Sequence, residues 1–144
     1  MTREDVRERL YGYRRAKRKL TRTLRELEEL ETLMTSASLD YSTIKVKSSP
    51  EPDKIANRID KLSNLISKVS KEREDAINEM VIVENLISHV KDEDVKNVLV
   101  HRYIKCMQWV DVAKGVSFSI PRAKQLEAKG ISLIRSNIIH NYIQ

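Results

Sequence analysis

MQWVDVAKGVSFSIPRAKQLEAKG, residues 107–130, holds the only Trp and the only Phe of the chain, two of its three Gly and one of its three Pro. With Trp109 as the first position of a helix, Val112, Ala113 and Val116 form one inward stripe and Ser117 occupies a turn. Ala123 and Leu126 then form the inward stripe of a second helix. A small residue is required at Ala113, where the second helix crosses at close range, and Val116, Ala123 and Leu126 fix the crossing angle. Ser119 is placed to cap the second helix, and Pro121 falls in its first turn, where a missing N–H costs nothing. The stretch therefore predicts a helix-turn-helix. Where many such turns carry Gly, this one has Ser117, with Gly115 two residues earlier.

Working back along the chain, the helix read from Val95, Val98, Leu99, Arg102, Tyr103 and Cys106 starts after the acid-rich break Lys91-Asp92-Glu93-Asp94, which suits a first helical turn. Before it, Ile55, Ile59, Leu62, Ile66, Val69, Arg73, Ala76, Met80, Val83, Ile87 and Val90 follow at strict four-three spacing, the seam of a long coiled-coil helix that Pro52 and Asp53 start. Arg73 interrupts that seam at its middle. The segment 36–53, SASLDYSTIKVKSSPEPD, breaks the pattern and carries two Pro, so it reads as a loop. A first seam, Val6, Leu10, Tyr13, Lys17, Leu20, Leu24, Leu27, Glu31 and Met34, predicts a helix over residues 3–35, with two charged residues in it. The fold expected is all-α: a long antiparallel coiled-coil hairpin over residues 1–91, then a small C-terminal helix-turn-helix bundle over residues 92–144.

The composition agrees, with 33% charged and 5% aromatic residues and only three Gly and three Pro. The net charge of +6 conceals two basic ends around an acidic centre. Residues 1–22 carry nine Lys/Arg against three acids, residues 95–144 eight against two, and the middle ten against sixteen. Basic ends are what a polyanion partner requires, although basic runs on helices are often only solvated faces. The N-terminus lacks the apolar run of a signal peptide and no stretch approaches a membrane span, so a cytoplasmic protein without a membrane partner is expected. The single Cys106 excludes an intramolecular disulfide and a multi-cysteine metal site, and its apolar neighbours predict a buried, inert thiol. His89, His101 and His140 pair with no Cys or acid at metal-ligand spacing, and no phosphate loop or nucleophile motif occurs. Neither a metal, a cofactor nor an enzymatic activity is expected.

The second helix of the motif presents Ile120, Arg122, Lys124, Gln125 and Lys129 outward, with Ser119 at its start, as candidate DNA contacts. Arg122 suits a guanine edge and Gln125 an adenine edge, with Lys124 and Lys129 flanking them toward the backbone. Arg14, Arg15, Lys17, Arg18 and Lys19 outnumber the nearby acids and are candidates for phosphate or acidic-partner contacts. A three-helix bundle without a DNA function would show the same apolar stripe.

The order of these features, with KVKSSPEPDKIANRIDKL and RYIKCMQWVDVAKGVSFSIPRAKQLEAKGISLI, resembles the late-transcription regulators of phages and prophages of Gram-positive bacteria, the LtrC-like and ArpU-like group. Arg102-Tyr103-Ile104, Trp109, Val112-Ala113 and the Ser-x-x-x-Ala run from Ser119 carry the resemblance, whereas Ser117 and Ile120-Pro121 depart from the common pattern. The resemblance implies a C-terminal part similar to the region-four helix-turn-helix of sigma factors, and activation of phage late genes through double-stranded promoter DNA, with host RNA polymerase as a further partner. The residues themselves lead to two expectations. One is a DNA-reading regulator that acts as a homodimer, since two half-sites strengthen binding. The other is a coiled-coil adaptor that binds another protein without reading DNA.

Overall fold

The computed structural model describes the backbone of residues 1–43 and 52–143, and the side chains of residues 1–35 and 52–142. Its helices are α1 (Arg3–Leu10), α2 (Gly12–Thr43), α3 (Pro52–Ser88), α4 (Glu93–Leu99), α5 (Trp109–Val116) and α6 (Ile120–Ile143), with a π-helical turn at Val100–Ile104. No strand occurs among the described residues, so the chain is all-α, as its composition and periodicity led one to expect.

Several helix starts are fixed by local chemistry. Thr2 and Asp5 form a reciprocal capping box before α1, and Asp92 accepts the Asp94 and Val95 N–H groups at the start of α4. The Val95 N–H, followed by Lys129, holds the Asp92 carboxyl below the usual carboxylate range. Pro52 is the first residue of α3, where it has no hydrogen bond to lose.

Two elements differ from the sequence reading. The helix expected over residues 3–35 is interrupted at Tyr11 and runs on to Thr43. The interruption is slight, since Tyr11 N–H still reaches Arg7 O (2.9 Å) and Arg15 N–H reaches Tyr11 O (3.0 Å). The loop expected over residues 36–53 shrinks from both ends, because Ser and Thr lower helix propensity without terminating a helix. What remains, residues 44–51, lies outside the described residues, and with it most of the TIKVK piece.

The chain divides into two compact units, one of Met1–Ala16 with Ala76–Gln144 and one of Lys17–Asp75. The boundary expected at residues 91 and 92 is not where the chain divides. Val6 and Leu10 of α1 and Val83 and Ile87 of α3 lie in one buried cluster with Val95, Val98, Leu99, Tyr103, Val112, Ala123, Leu126, Ile131 and Ile134. An apolar core of that extent is the dominant stabilising term, and it draws both ends of the chain into one body. Gly130 on α6 lies under α4, where an added Cβ would sit 2.8 Å from Leu99 Cδ1 and 2.9 Å from Val95 Cγ1.

In the Lys17–Asp75 unit the expected seams are enclosed only in part: Val69 is buried and Leu24, Leu27 and Leu62 are half-buried, while other buried residues lie one position to the side. On α2, Thr23 and Leu30 are buried while Lys17 and Glu31 are exposed. On α3, Leu65 and Glu72 are buried beside the seam residue Val69, while Arg73 is exposed and Ile66 retains 52% of its accessible surface. A shift of one position spares Lys17 and Glu31 from desolvation. It leaves Ile55, Ile59 and Ile66 open, and it buries Glu72, neither of whose carboxyl oxygens has a hydrogen-bond partner among the described residues.

Candidate nucleic-acid interface

The π-helical turn after α4 closes with Lys105 N–H on Val100 O (2.9 Å), and the chain then reverses through Cys106 in left-handed backbone, φ 56°. The Cys106 thiol is half-buried rather than enclosed as expected. Arg102 bridges the reversal. Its Nη1 donates to Met107 O (2.9 Å), its Nη2 donates to Tyr11 Oη (3.2 Å), and its guanidinium lies 4.7 Å from the Trp109 ring centroid. Tyr11 in turn meets Tyr103 edge to face, ring centroids 5.3 Å apart. The π turn thus directs Arg102 to the α5 entry and Tyr103 into the core.

Helix α5 begins at Trp109, buries Val112 and Ala113, and ends at Ser117 with φ 62° and ψ 38°. Phe118 N–H reaches back to Ala113 O (3.1 Å), the six-to-one bond that closes a helix through a left-handed residue. Ser117 therefore occupies the conformation for which Gly is usual. Ser119 Oγ then accepts the Arg122 N–H (3.3 Å), capping α6 as its sequence position suggests. Ala123 and Leu126 are buried, and Val116 is half-buried. The limits of the two helices and the turn at Ser117 agree with the spacing in the sequence, whereas Val116, expected inward, and Ile120, expected outward, are each half-buried.

On the outer side of α6, Ser119, Arg122, Lys124, Gln125 and Lys129 are exposed and Ile120 is half-buried. They are not equivalent. Arg122 Nη1 donates to Gln125 Oε1 at 3.4 Å. Lys124 Nζ stands 5.8 Å from the Trp109 ring centroid and forms no ion pair among the described residues. Lys129 Nζ is 3.2 Å from Asp92 Oδ2, so part of its charge is spent within the protein. Of the N-terminal cations, Arg15 bonds Glu8 through Oε2 (3.1 Å) and the backbone carbonyl (2.7 Å), and Arg14 is half-buried. Lys17, Arg18 and Lys19 are exposed.

The only acid of α6, Glu127, points inward and is 5% exposed. Its Oε1 accepts from Arg7 Nε (3.0 Å) and from Tyr103 Oη (3.2 Å). Burial, reinforced by the neighbouring Glu127 carboxylate, pushes the Tyr103 phenol well above its usual range. Arg7 also holds Glu4 at 3.0 Å, and Arg135 Nε donates to Met1 O (2.8 Å), so α1 is tied along α6. Neither this network nor the approach of Arg102 and Lys124 to the Trp109 ring is legible in the sequence. The first joins residues up to 120 apart and the second crosses from one helical element to the next, and no local spacing announces either.

Among the described residues no group of three His, Cys, Asp or Glu is arranged to hold a metal ion, and no helix is long and apolar enough to cross a membrane. No family model matches the chain, and no curated protein or solved structure is significantly similar to it.

Proposed function

We propose that the chain is a sequence-reading DNA-binding regulator of transcription, with α5 and α6 as the reading motif. One observation carries the proposal. The sole acid of α6 is turned into the core against Arg7, so the outer face of that helix carries Arg122, Lys124, Lys129 and Arg135 and no carboxylate. A face with cations near the helix start, braced by a packed partner helix, suits a phosphate-lined groove. The apolar Ala123 and Leu126 face the opposite way, so the reading residues bear none of the core.

The resemblance noted above extends the proposal to activation of phage late genes in a bacterial host, acting on double-stranded promoter DNA and touching host RNA polymerase, with no catalytic step and no cofactor. Lys17, Arg18 and Lys19 supply accessory phosphate contacts, with Arg14 and Arg15 contributing less because of their burial and pairing. The Lys17–Asp75 unit, taken as a helical hairpin, is the arm through which two copies or a protein partner associate.

The test is a gel shift on DNA from the chain's own genomic neighbourhood at rising salt. A reader of sequence keeps its preference over random DNA after the electrostatic term has weakened. The second reading is an adaptor that binds protein alone, and it is favoured by the open apolar residues Ile55, Ile59 and Ile66. It requires binding that shows no preference at any salt concentration.

A further inference from the structure

From the geometry of α6 we infer that Gln125 does not read a base but braces Arg122, which reads guanine. The inference rests on α6 being the DNA-reading helix. Arg122 Nη1 lies 3.4 Å from Gln125 Oε1, three residues along the same exposed face. A guanidinium has only donors, so the amide must turn its oxygen toward it and its nitrogen away. Reading adenine with two bonds needs that same oxygen on the base N6 amino group and the amide nitrogen on N7, in one plane. A Gln whose oxygen is directed along the helix to Arg122 is not set for that edge.

The Arg122 side chain gains what Gln125 gives up. An unbraced arginine on a helix surface samples many rotamers, and ordering it costs binding free energy. With Nη1 held by one of its N–H groups, its second N–H and those of Nη2 and Nε stay free, which is enough for the O6 and N7 acceptors of guanine. The brace is also neutral. Arg122 forms no ion pair among the described residues, whereas Arg7, Arg15 and Lys129 each face a carboxylate. A carboxylate at residue 125 would hold the guanidinium more tightly but would face the phosphates of DNA. The amide orders Arg122 and leaves its whole charge to the groove.

The experiment is selection from a randomised double-stranded DNA library by the full chain and by Arg122→Ala, Gln125→Ala and Gln125→Glu. All three variants change exposed side chains, and unchanged far-UV helicity checks their fold. The wild type should enrich guanine at one position, and Arg122→Ala should abolish that enrichment. Gln125→Ala should lower discrimination at the same position by roughly tenfold or less, a part of the roughly 5- to 150-fold that one good base contact supplies. Gln125→Glu should keep the guanine preference, because its oxygen still accepts from Arg122, while binding all sequences more weakly. Loss of a separate adenine position in Gln125→Ala, with the guanine position untouched, overturns the brace and leaves the reading helix standing. No enrichment by the wild type at any position overturns the reading helix itself, and the brace with it.

Discussion

Arg7 and Glu127, 120 residues apart, meet at 3.0 Å, and through that contact the first helix of the chain neutralises the one acid of the proposed reading helix. Glu127 is almost wholly buried, whereas the Arg7 side chain keeps 31% of its surface. Removing the arginine would leave a carboxylate in the core with Tyr103 as its only hydrogen-bond donor. Arg7→Ala should therefore lower stability by about 2 kcal/mol, less than for a fully enclosed pair because Arg7 is partly solvated. The double variant Arg7→Met with Glu127→Gln should recover much of that loss, since no charge is left in the core and the amide oxygen still accepts from Tyr103. Chemical denaturation of the three proteins measures both effects, and a double variant as unstable as Arg7→Ala would contradict this account.

Ser117 holds a left-handed conformation that costs a residue with a Cβ about 1 kcal/mol relative to Gly. Ser117→Gly should raise the melting temperature without altering binding to DNA. Ser117→Val should lower it, because a β-branched side chain is strained there most. Thermal unfolding followed at 222 nm decides the sign.

Gly130 is needed for contact rather than for backbone freedom. Alanine at this helical site gains about 1 kcal/mol in propensity. The added Cβ, however, would press on Leu99 Cδ1 and Val95 Cγ1, both on fully buried side chains. Overpacking of this kind costs about 1 to 3 kcal/mol, so the net effect of Gly130→Ala should be destabilising. An unchanged or raised denaturation midpoint would show that α4 can move aside.

On α3 the neighbours Leu65 and Ile66 provide a paired test, one 7% and the other 52% exposed. Leu65→Asp buries a carboxylate and should cost several kcal/mol, lowering the helicity of the Lys17–Asp75 unit. Ile66→Asp should change stability by about 0.5 kcal/mol or less, as surface substitutions do. Equal damage from both would restore the strict four-three seam.

Glu72 is buried with neither carboxyl oxygen bonded among the described residues, a few residues from the apolar Leu65 and Val69 on the same face. Replacing a polar group that has no partner by an apolar one of similar size removes a desolvation cost of about 1 to 3 kcal/mol. Glu72→Leu should therefore be more stable than the parent chain in urea. A lower midpoint would mean that the carboxylate is compensated in solution.

The sequence by itself determined the helices and the turn that matter for the proposed site. Pro52 and Pro121 at helix starts, Ser119 as a cap, Trp109 opening α5, and Val112, Ala113, Ala123 and Leu126 turned inward are consequences of short-range sterics and hydrogen bonding, and a reading of neighbouring residues recovers them. The seam positions Val6, Leu10, Val69, Ala76, Val83, Ile87 and Val90 are buried as their spacing predicts, but over residues 17–75 the choice between adjacent stripes was decided largely by the tertiary structure. Leu65 and Ile66, or Leu30 and Glu31, are one residue and about 100° apart on a helix, so the packing partner selects between adjacent stripes by its own side chains and curvature. The same holds for the interface. That Arg122, Lys124, Gln125 and Lys129 lie outward follows from the helical period. That Lys129 is held by Asp92, Lys124 stands over Trp109, and Glu127 is neutralised by Arg7 follows from contacts between distant segments, which exist only once the core has brought α1, α4, α5 and α6 together.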